Sequence, residues 1–175
     1  RRNSYQEFNY AFSAFIRDEA YWLDDYSLFM ACKDANNGTS WLDWDDEYRM
    51  PTPAFLAKLH VSLEESIEFY QFLQFLFFTE WKALKEYANR KNIRIIGDIP
   101  IFVSMDSADV WANKHLFQLD SHGYPLTVAG VPPDYFSATG QLWGNPQYDW
   151  NVHRQDGFGW WIARIHHQLK SIDIL

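Results

Sequence analysis

Seventeen residues from Gly130 to Pro146, GVPPDYFSATGQLWGNP, constrain the fold more than any other stretch of this chain. They hold three prolines, three glycines and three large aromatics (Tyr135, Phe136, Trp143), and Asp134 carries their only charge. Proline lacks the amide donor that helices and sheets need, so neither a helix nor a strand is expected to run through this density of Pro and Gly. Long irregular segments in compact domains are binding loops or lids, unless they are disordered, and disordered segments are poor in aromatics. A loop that shows aromatic faces to a ligand and a surface loop pinned by its own aromatics fit this composition equally well.

The rest of the composition narrows the partners. The net charge is −8 and the pI about 5.1, which disfavours nucleic acid and anionic membrane surfaces. No apolar run reaches the length that spans a bilayer. Cys32 is the single cysteine, so no internal disulfide forms, and a reducing, cytoplasmic setting is expected. The chain opens Arg1-Arg2 without Met, and the expectation is that its natural N-terminus lies upstream. Nine Trp, ten Tyr and fourteen Phe are the unusual feature, and such rings pack cores. Aromatic rings also stack on flat apolar ligand faces such as those of sugars.

Read along the chain, residues 4–18 predict a helix with Ser4 and Glu7 as a capping box, and Phe8, Phe12, Phe15 and Ile16 on one face. A second helix is predicted over 23–35, stopped by Asn36-Asn37-Gly38, followed by a loop with Trp41, Trp44 and four acids. Residues 63–91 predict a long helix capped by Ser62, apolar nearly all round in FYQFLQFLFFTEW, which implies burial on more than one side or a surface that self-associates. Residues 93–99 (IRIIGDI) read as a buried parallel strand, 107–116 as a short helix, 117–128 as a hairpin about Ser121-His122-Gly123, and 160–170 as a helix. Residues 171–175 read as the opening of a further strand. Helix, strand, excursion, helix, strand is a (β/α) rhythm, in which sites gather at the carboxyl ends of strands and on the loops after them. The expected division is a mainly helical segment, 1–91, and a partial (β/α) segment, 92–175, bearing the loop 130–146.

Asp98 stands at the end of the first clear strand. It is either a carboxylate aimed into a pocket or a cap on loop amides, and position alone favours the cap. Asp106 and Asp109 read as a helix cap and a first-turn dipole partner. Gln141 and Trp143 place an amide and a stacking ring close together, a pairing suited to polyhydroxyl ligands. The histidines lack metal-ligand spacing, and His166 and His167 point about 100° apart on their helix. With no phosphate loop, nucleophile elbow or CxxC, neither a metal nor a cofactor is expected, and no pair of acid and nucleophile can be placed.

GDIPIFV (97–103), DSADVWAN (106–113) and AGVPPDYFSATGQLWGNPQYDW (129–150) closely resemble the 4-α-glucanotransferases, or amylomaltases, relatives of the α-amylases. WLDDYSLFMACK (22–33) and EFYQFLQFLFFTEWKALKEYA (68–88) resemble the same family. The resemblance implies an α/β fold, a piece of an α-amylase-type (β/α)₈ barrel with inserted helical and loop segments. It implies transfer of α-1,4-glucan segments between maltooligosaccharides with retention, through a carboxylate nucleophile and a second carboxyl acting as acid and base. In family terms Asp98 is the acid at the end of the third barrel strand. Tyr135 and Phe136 match the tip of a lid over the acceptor region, and Gln141 and Trp143 match residues lining the sugar groove. The family's nucleophile motif follows the strand begun at Ile172, beyond Leu175, and its other two carboxylates come later still. No catalytic residue is therefore expected in this chain, and Asp173 is not the nucleophile. A whole barrel takes about 250 residues, so the expectation is an internal fragment, inactive alone. The competing expectations are a glucan-binding or self-associating module without catalysis, and an α-amylase-type hydrolase.

Overall fold

The computed structural model describes residues 2–175, with side chains described from Phe8 onward. Its elements in order are helix α1 (Arg2–Ala35), a 3₁₀ turn (Trp41–Asp43), α2 (Asp46–Arg49), α3 (Pro53–Ser62) and α4 (Glu64–Arg90). Then follow α5 (Ala108–Ala112), a 3₁₀ turn (Lys114–Leu116), strands β1 (Val128–Val131) and β2 (Gln141–Pro146), α6 (Trp150–Gln155) and α7 (Gly159–Ser171). They make two compact units, one of residues 1–39 with 51–95 and the other of residues 40–50 with 96–175.

The first unit is helical. No Gly or Pro interrupts residues 2–35, and the two helices predicted there are one. Residues 18–22 are all tolerated in a helix, and Trp22 donates to Glu19 across one turn (2.8 Å), so nothing breaks the hydrogen-bond ladder. The helix is already formed before Ser4; the side chains of the Ser4–Glu7 box lie outside the described residues. It ends as expected at Asn36-Asn37-Gly38, where Asn37 and Gly38 take positive φ and the Gly38 amide returns to the Lys33 carbonyl (2.8 Å). Thr52 caps α3 through the Phe55 amide (3.2 Å), and Pro53 occupies its first position. Ser62 does not cap α4: it is the last residue of α3, and its hydroxyl donates back to the Leu59 carbonyl.

α1 and α4 meet through rings. Phe8, Phe12 and Phe15 lie 5.4–6.0 Å from Phe72, Phe75 or Phe78. Each such pair adds about 0.5–1.5 kcal/mol to the burial of its area. Burial also pushes the Cys32 thiol, in the core of α1, up to about 12, so at neutral pH it is a packed apolar group. The outer side of α4 differs from the expectation of burial all round: Phe69, Leu73, Leu76, Phe77, Leu84 and Tyr87 are exposed.

The second unit is built on aromatic anchors. Trp41, which with Trp44 was expected in a plain loop, is fully buried in a 3₁₀ turn; its indole donates to the Met105 carbonyl (2.7 Å) and its amide to Asp106 Oδ1 (3.3 Å). The cap of α5 is Ser107, whose Oγ accepts from the Val110 amide (3.3 Å). The predicted strand 93–99 contracts to a single parallel bridge, Ile96 to Ile174, with the Gly97 amide donating to the Ile174 carbonyl (2.9 Å). Ile93 and Ile96 are exposed rather than buried; Ile96 has its one bridge, to Ile174, while the Ile93 amide turns back to the Ala88 carbonyl (3.0 Å). The parallel sense agrees with the (β/α) rhythm. At the predicted 117–128 hairpin, one antiparallel bridge (Leu119 to Pro125) closes a turn in which Asp120 accepts from the His122 and Tyr124 amides (2.8 and 2.9 Å). These amides hold the Asp120 carboxyl below its ordinary range.

Lys114 sits over the faces of Trp41 and Trp111 at 5.0 and 5.4 Å and donates to the Trp111 carbonyl. Burial pushes its amine down to about 8, against about 10.4 for a lysine in an unfolded chain. Between those values the unfolded chain binds more protons than the folded one, so this group's contribution to stability rises with pH. Urea midpoints at pH 7.5 and 9.5 check it: the Lys114→Met protein should gain less, or lose more, over that interval than the parent. Equal changes in both proteins would contradict it.

Candidate functional site

The 130–146 stretch contains strand where none was expected. β1 and β2 pair antiparallel and enclose Pro132–Gly140 as a loop. The prolines allow this because Pro132 and Pro133 fall past the end of β1 and Pro146 is the last residue of β2. The glycines sit where the backbone turns: Gly140 (φ +75°) closes the loop, and a Cβ there would meet the Val131 carbonyl at 2.5 Å.

The pairing is irregular at one point. Gly130 faces Leu142 and Val128 faces Pro146, so Ala129 alone stands opposite Trp143, Gly144 and Asn145. Extra residues in one strand bend it and re-aim side chains, a device common beside functional sites. Gly144 carries the bulge with φ +79°, a conformation any side chain would strain. The bulge turns Trp143 half outward, at 50% exposure. Its indole donates to Gln141 Oε1 (3.0 Å), so the two residues expected to act together are in contact. Asn145 donates to the Val103 carbonyl (2.8 Å).

The loop tip is organised by Asp134, whose Oδ1 accepts from the Phe136 and Ser137 amides (2.9 and 2.8 Å) while its own amide donates to the Ser137 carbonyl (2.9 Å). This turn lifts Tyr135 and Phe136 off the body. They are 96% and 89% exposed and touch edge to face at 5.6 Å. A loop pinned by its own aromatics would bury them, so the exposed pair favours the ligand-facing alternative. Asp98 is exposed and its Oδ1 accepts from the next amide, Ile99 (2.7 Å), which is the capping geometry. Its carbonyl accepts from Gln168 (3.3 Å). Among the described residues no hydrogen bond joins Asp98 to Gln141, Trp143, Tyr135 or Phe136.

What links the Asp98 segment to the hairpin was not singled out from the sequence. Phe102, four residues on, lies edge to face with Trp143 (6.3 Å) and stacked on Tyr148 (6.2 Å, 10° between planes). The Tyr148 hydroxyl donates to the Ile101 carbonyl (2.7 Å). The only sequence signal was the density of aromatics on either side of the two motifs. His153, read earlier for metal spacing alone, is fully buried against the rings of Tyr148, Trp150 and Trp160. Among the described residues no three His, Cys, Asp or Glu gather as metal ligands, and no helix is long and apolar enough to cross a membrane.

The strained bulge gives a direct check. Gly144→Ala should destabilise by about 1–2 kcal/mol in urea denaturation, the cost of a Cβ in the left-handed region. A neutral result would show that the bulge does not need its positive φ.

The family model for 4-alpha-glucanotransferase matches residues 1–175. A 4-alpha-glucanotransferase of Clostridium butyricum is 49% identical, aligned over 99% of this chain and 37% of its own length. That of Thermus thermophilus is 51% identical over 94% of this chain and 33% of its own. The solved amylomaltase of Streptococcus agalactiae in complex with acarbose superposes with a TM-score of 0.88 at 43% identity, covering 93% of this chain and 33% of that one. The chain thus spans about a third of the length of the relatives it matches. An alpha/beta chain of mostly helices with a two-stranded hairpin, it belongs to the 4-alpha-glucanotransferase family.

Proposed function

We propose that this chain is the part of a 4-α-glucanotransferase that carries the acceptor-side lid and one wall of the sugar groove. The observation that carries the reading is the Trp143–Gln141 pair. A half-exposed indole is locked by its own N–H to an amide oxygen, on a hairpin whose loop carries an exposed aromatic tip. The likeness to an amylomaltase solved with acarbose supports sugar as the ligand. In the full-length protein, α-1,4-glucans and maltooligosaccharides stack on Trp143 and bond to the Gln141 amide, and Asp98 holds sugar hydroxyls. Tyr135 and Phe136 close over the acceptor. The aromatic tip excludes water from the groove, so that a sugar hydroxyl rather than water receives the transferred segment.

The rest of the barrel belongs to the same reading. The parallel Ile96–Ile174 bridge, with α7 leading into its second partner, is the unit from which a (β/α)₈ barrel is assembled. In this reading 1–91 is the helical flanking segment and 92–175 the partial barrel with its lid at 130–146. Retention at the anomeric carbon requires a carboxylate nucleophile and an acid/base partner, which the full-length protein supplies outside these residues. A cytoplasmic enzyme fits the lone, buried thiol of Cys32. The exposed side of α4, from Phe69 to Tyr87, is a surface for other parts of the full-length protein. In the isolated 175-residue chain it should drive self-association, seen as a concentration-dependent sedimentation coefficient; a monomer at all concentrations would contradict that.

The test of function uses the full-length protein. Fed maltotriose, it should release glucose together with longer oligosaccharides, whereas hydrolysis without longer products would replace the transferase reading by an α-amylase-type one. Tyr135→Ala with Phe136→Ala should lower kcat/KM for transfer about tenfold, or ~1.4 kcal/mol, and raise the hydrolysed share. The isolated chain should show no turnover, and turnover by it would refute the placement of the catalytic carboxylates outside it.

A further inference from the structure

We infer that Phe102 is a positioning residue that sets the plane of the Trp143 indole against the sugar, and so couples the Asp98 segment to the lid hairpin. The inference rests on the glucan reading of Trp143. Trp143 is only half covered and sits on a bulge, where the strand ladder does not fix its side chain. Gln141 and Phe102 both meet the ring. Gln141 takes its N–H (3.0 Å), which fixes one edge, and Phe102 meets it edge to face at 6.3 Å and 65°.

Phe102 is in turn held from below. Its ring stacks on Tyr148, which is 1% exposed and is anchored by its hydroxyl on the Ile101 carbonyl (2.7 Å). Asn145, on the same bulge as Trp143, bonds the Val103 carbonyl (2.8 Å), so the residues on both sides of Phe102 are tied to the hairpin or to its continuation. The backbone that follows Asp98 and the strand that bears Trp143 therefore move together. A leucine at 102 would fill much of the same space but offers no aromatic edge, leaving the indole free to tilt about the Gln141 bond.

The experiment is a double-mutant cycle on the full-length protein with maltotriose as substrate. Phe102→Leu should raise KM about fivefold, more than it lowers kcat, as loss of a binding contact does. Phe102→Tyr, which keeps the ring, should restore KM. In a Trp143→Phe background the Phe102→Leu effect should shrink below twofold, because the coupled partner is gone. If Trp143→Phe weakens binding but Phe102→Leu does not, or if Phe102→Leu costs the same factor in both backgrounds, the positioning role is overturned and the glucan reading stands. If Trp143→Phe leaves KM unchanged, Trp143 is no sugar contact, and the inference about Phe102 falls with it. Should Phe102→Leu fail to fold, Phe102→Met, whose flexible side chain fills the gap, reads the same cycle.

Discussion

The second unit depends on one buried side chain, Tyr148. Its ring lies within 5.1–6.2 Å of Phe102, Phe117, Trp150, His153, Trp160 and Trp161. Its hydroxyl satisfies the Ile101 carbonyl, so a phenol that burial would otherwise penalise has its polar end paired. Burial pushes the phenol pKa up, in the direction that favours the neutral donor. Around this ring converge the segment after Asp98, the turn before α6, and α7. The bridge of Phe117 to Tyr148 and the Gln118–Gln147 bond (2.8 Å) add backbone to the same junction. Trp143 reaches this junction through Phe102, which stacks on Tyr148.

The division of labour follows from burial. Residues that fix geometry lie inside: Tyr148, Trp41, Val110 and His153 are at or near zero exposure. Those that could meet a ligand lie outside, on short local turns. Asp134 holds the loop tip with two side-chain-to-backbone hydrogen bonds and one backbone bond inside four residues, and the Asp98 carboxylate accepts from the next amide. Such local bonds need no support from distant chain, so the tip holds its own form.

Much of this was legible in the sequence because it is local chemistry. Asn36-Asn37-Gly38 stops α1 through left-handed backbone. The Gln141–Trp143 pair was visible because residues two apart in sequence stay close whatever the local backbone. What was not legible depends on partners far along the chain. The strands at 128–131 and 141–146 were hidden by prolines and glycines that turn out to occupy strand ends, the turn and the bulge. The continuity of α1 across residues 18–23 was missed because acids and aromatics look like a boundary there, while the Trp22–Glu19 bond braces the turn. The burial expected for Ile93–Ile99 requires neighbours on both sides, and apolar composition alone does not say whether they are supplied. Phe102 carries no motif at all; it matters only because Tyr148 and Trp143 arrive on either side of it.

The bulge in β2 has a further consequence that lies in its arithmetic. Between the Gly130–Leu142 and Val128–Pro146 pairs, β1 advances by two residues and β2 by four. The excess is even. A side-chain alternation of period two therefore resumes in phase beyond the bulge, where an odd excess would have turned the strand inside out. Pro146 keeps its buried side and the Tyr148 junction keeps its register, whatever the bulge displays. Trp143 thus stands on a detachable step: the hairpin's parity holds the body constant while the presented ring can be exchanged or removed, leaving the fold beneath it unaltered.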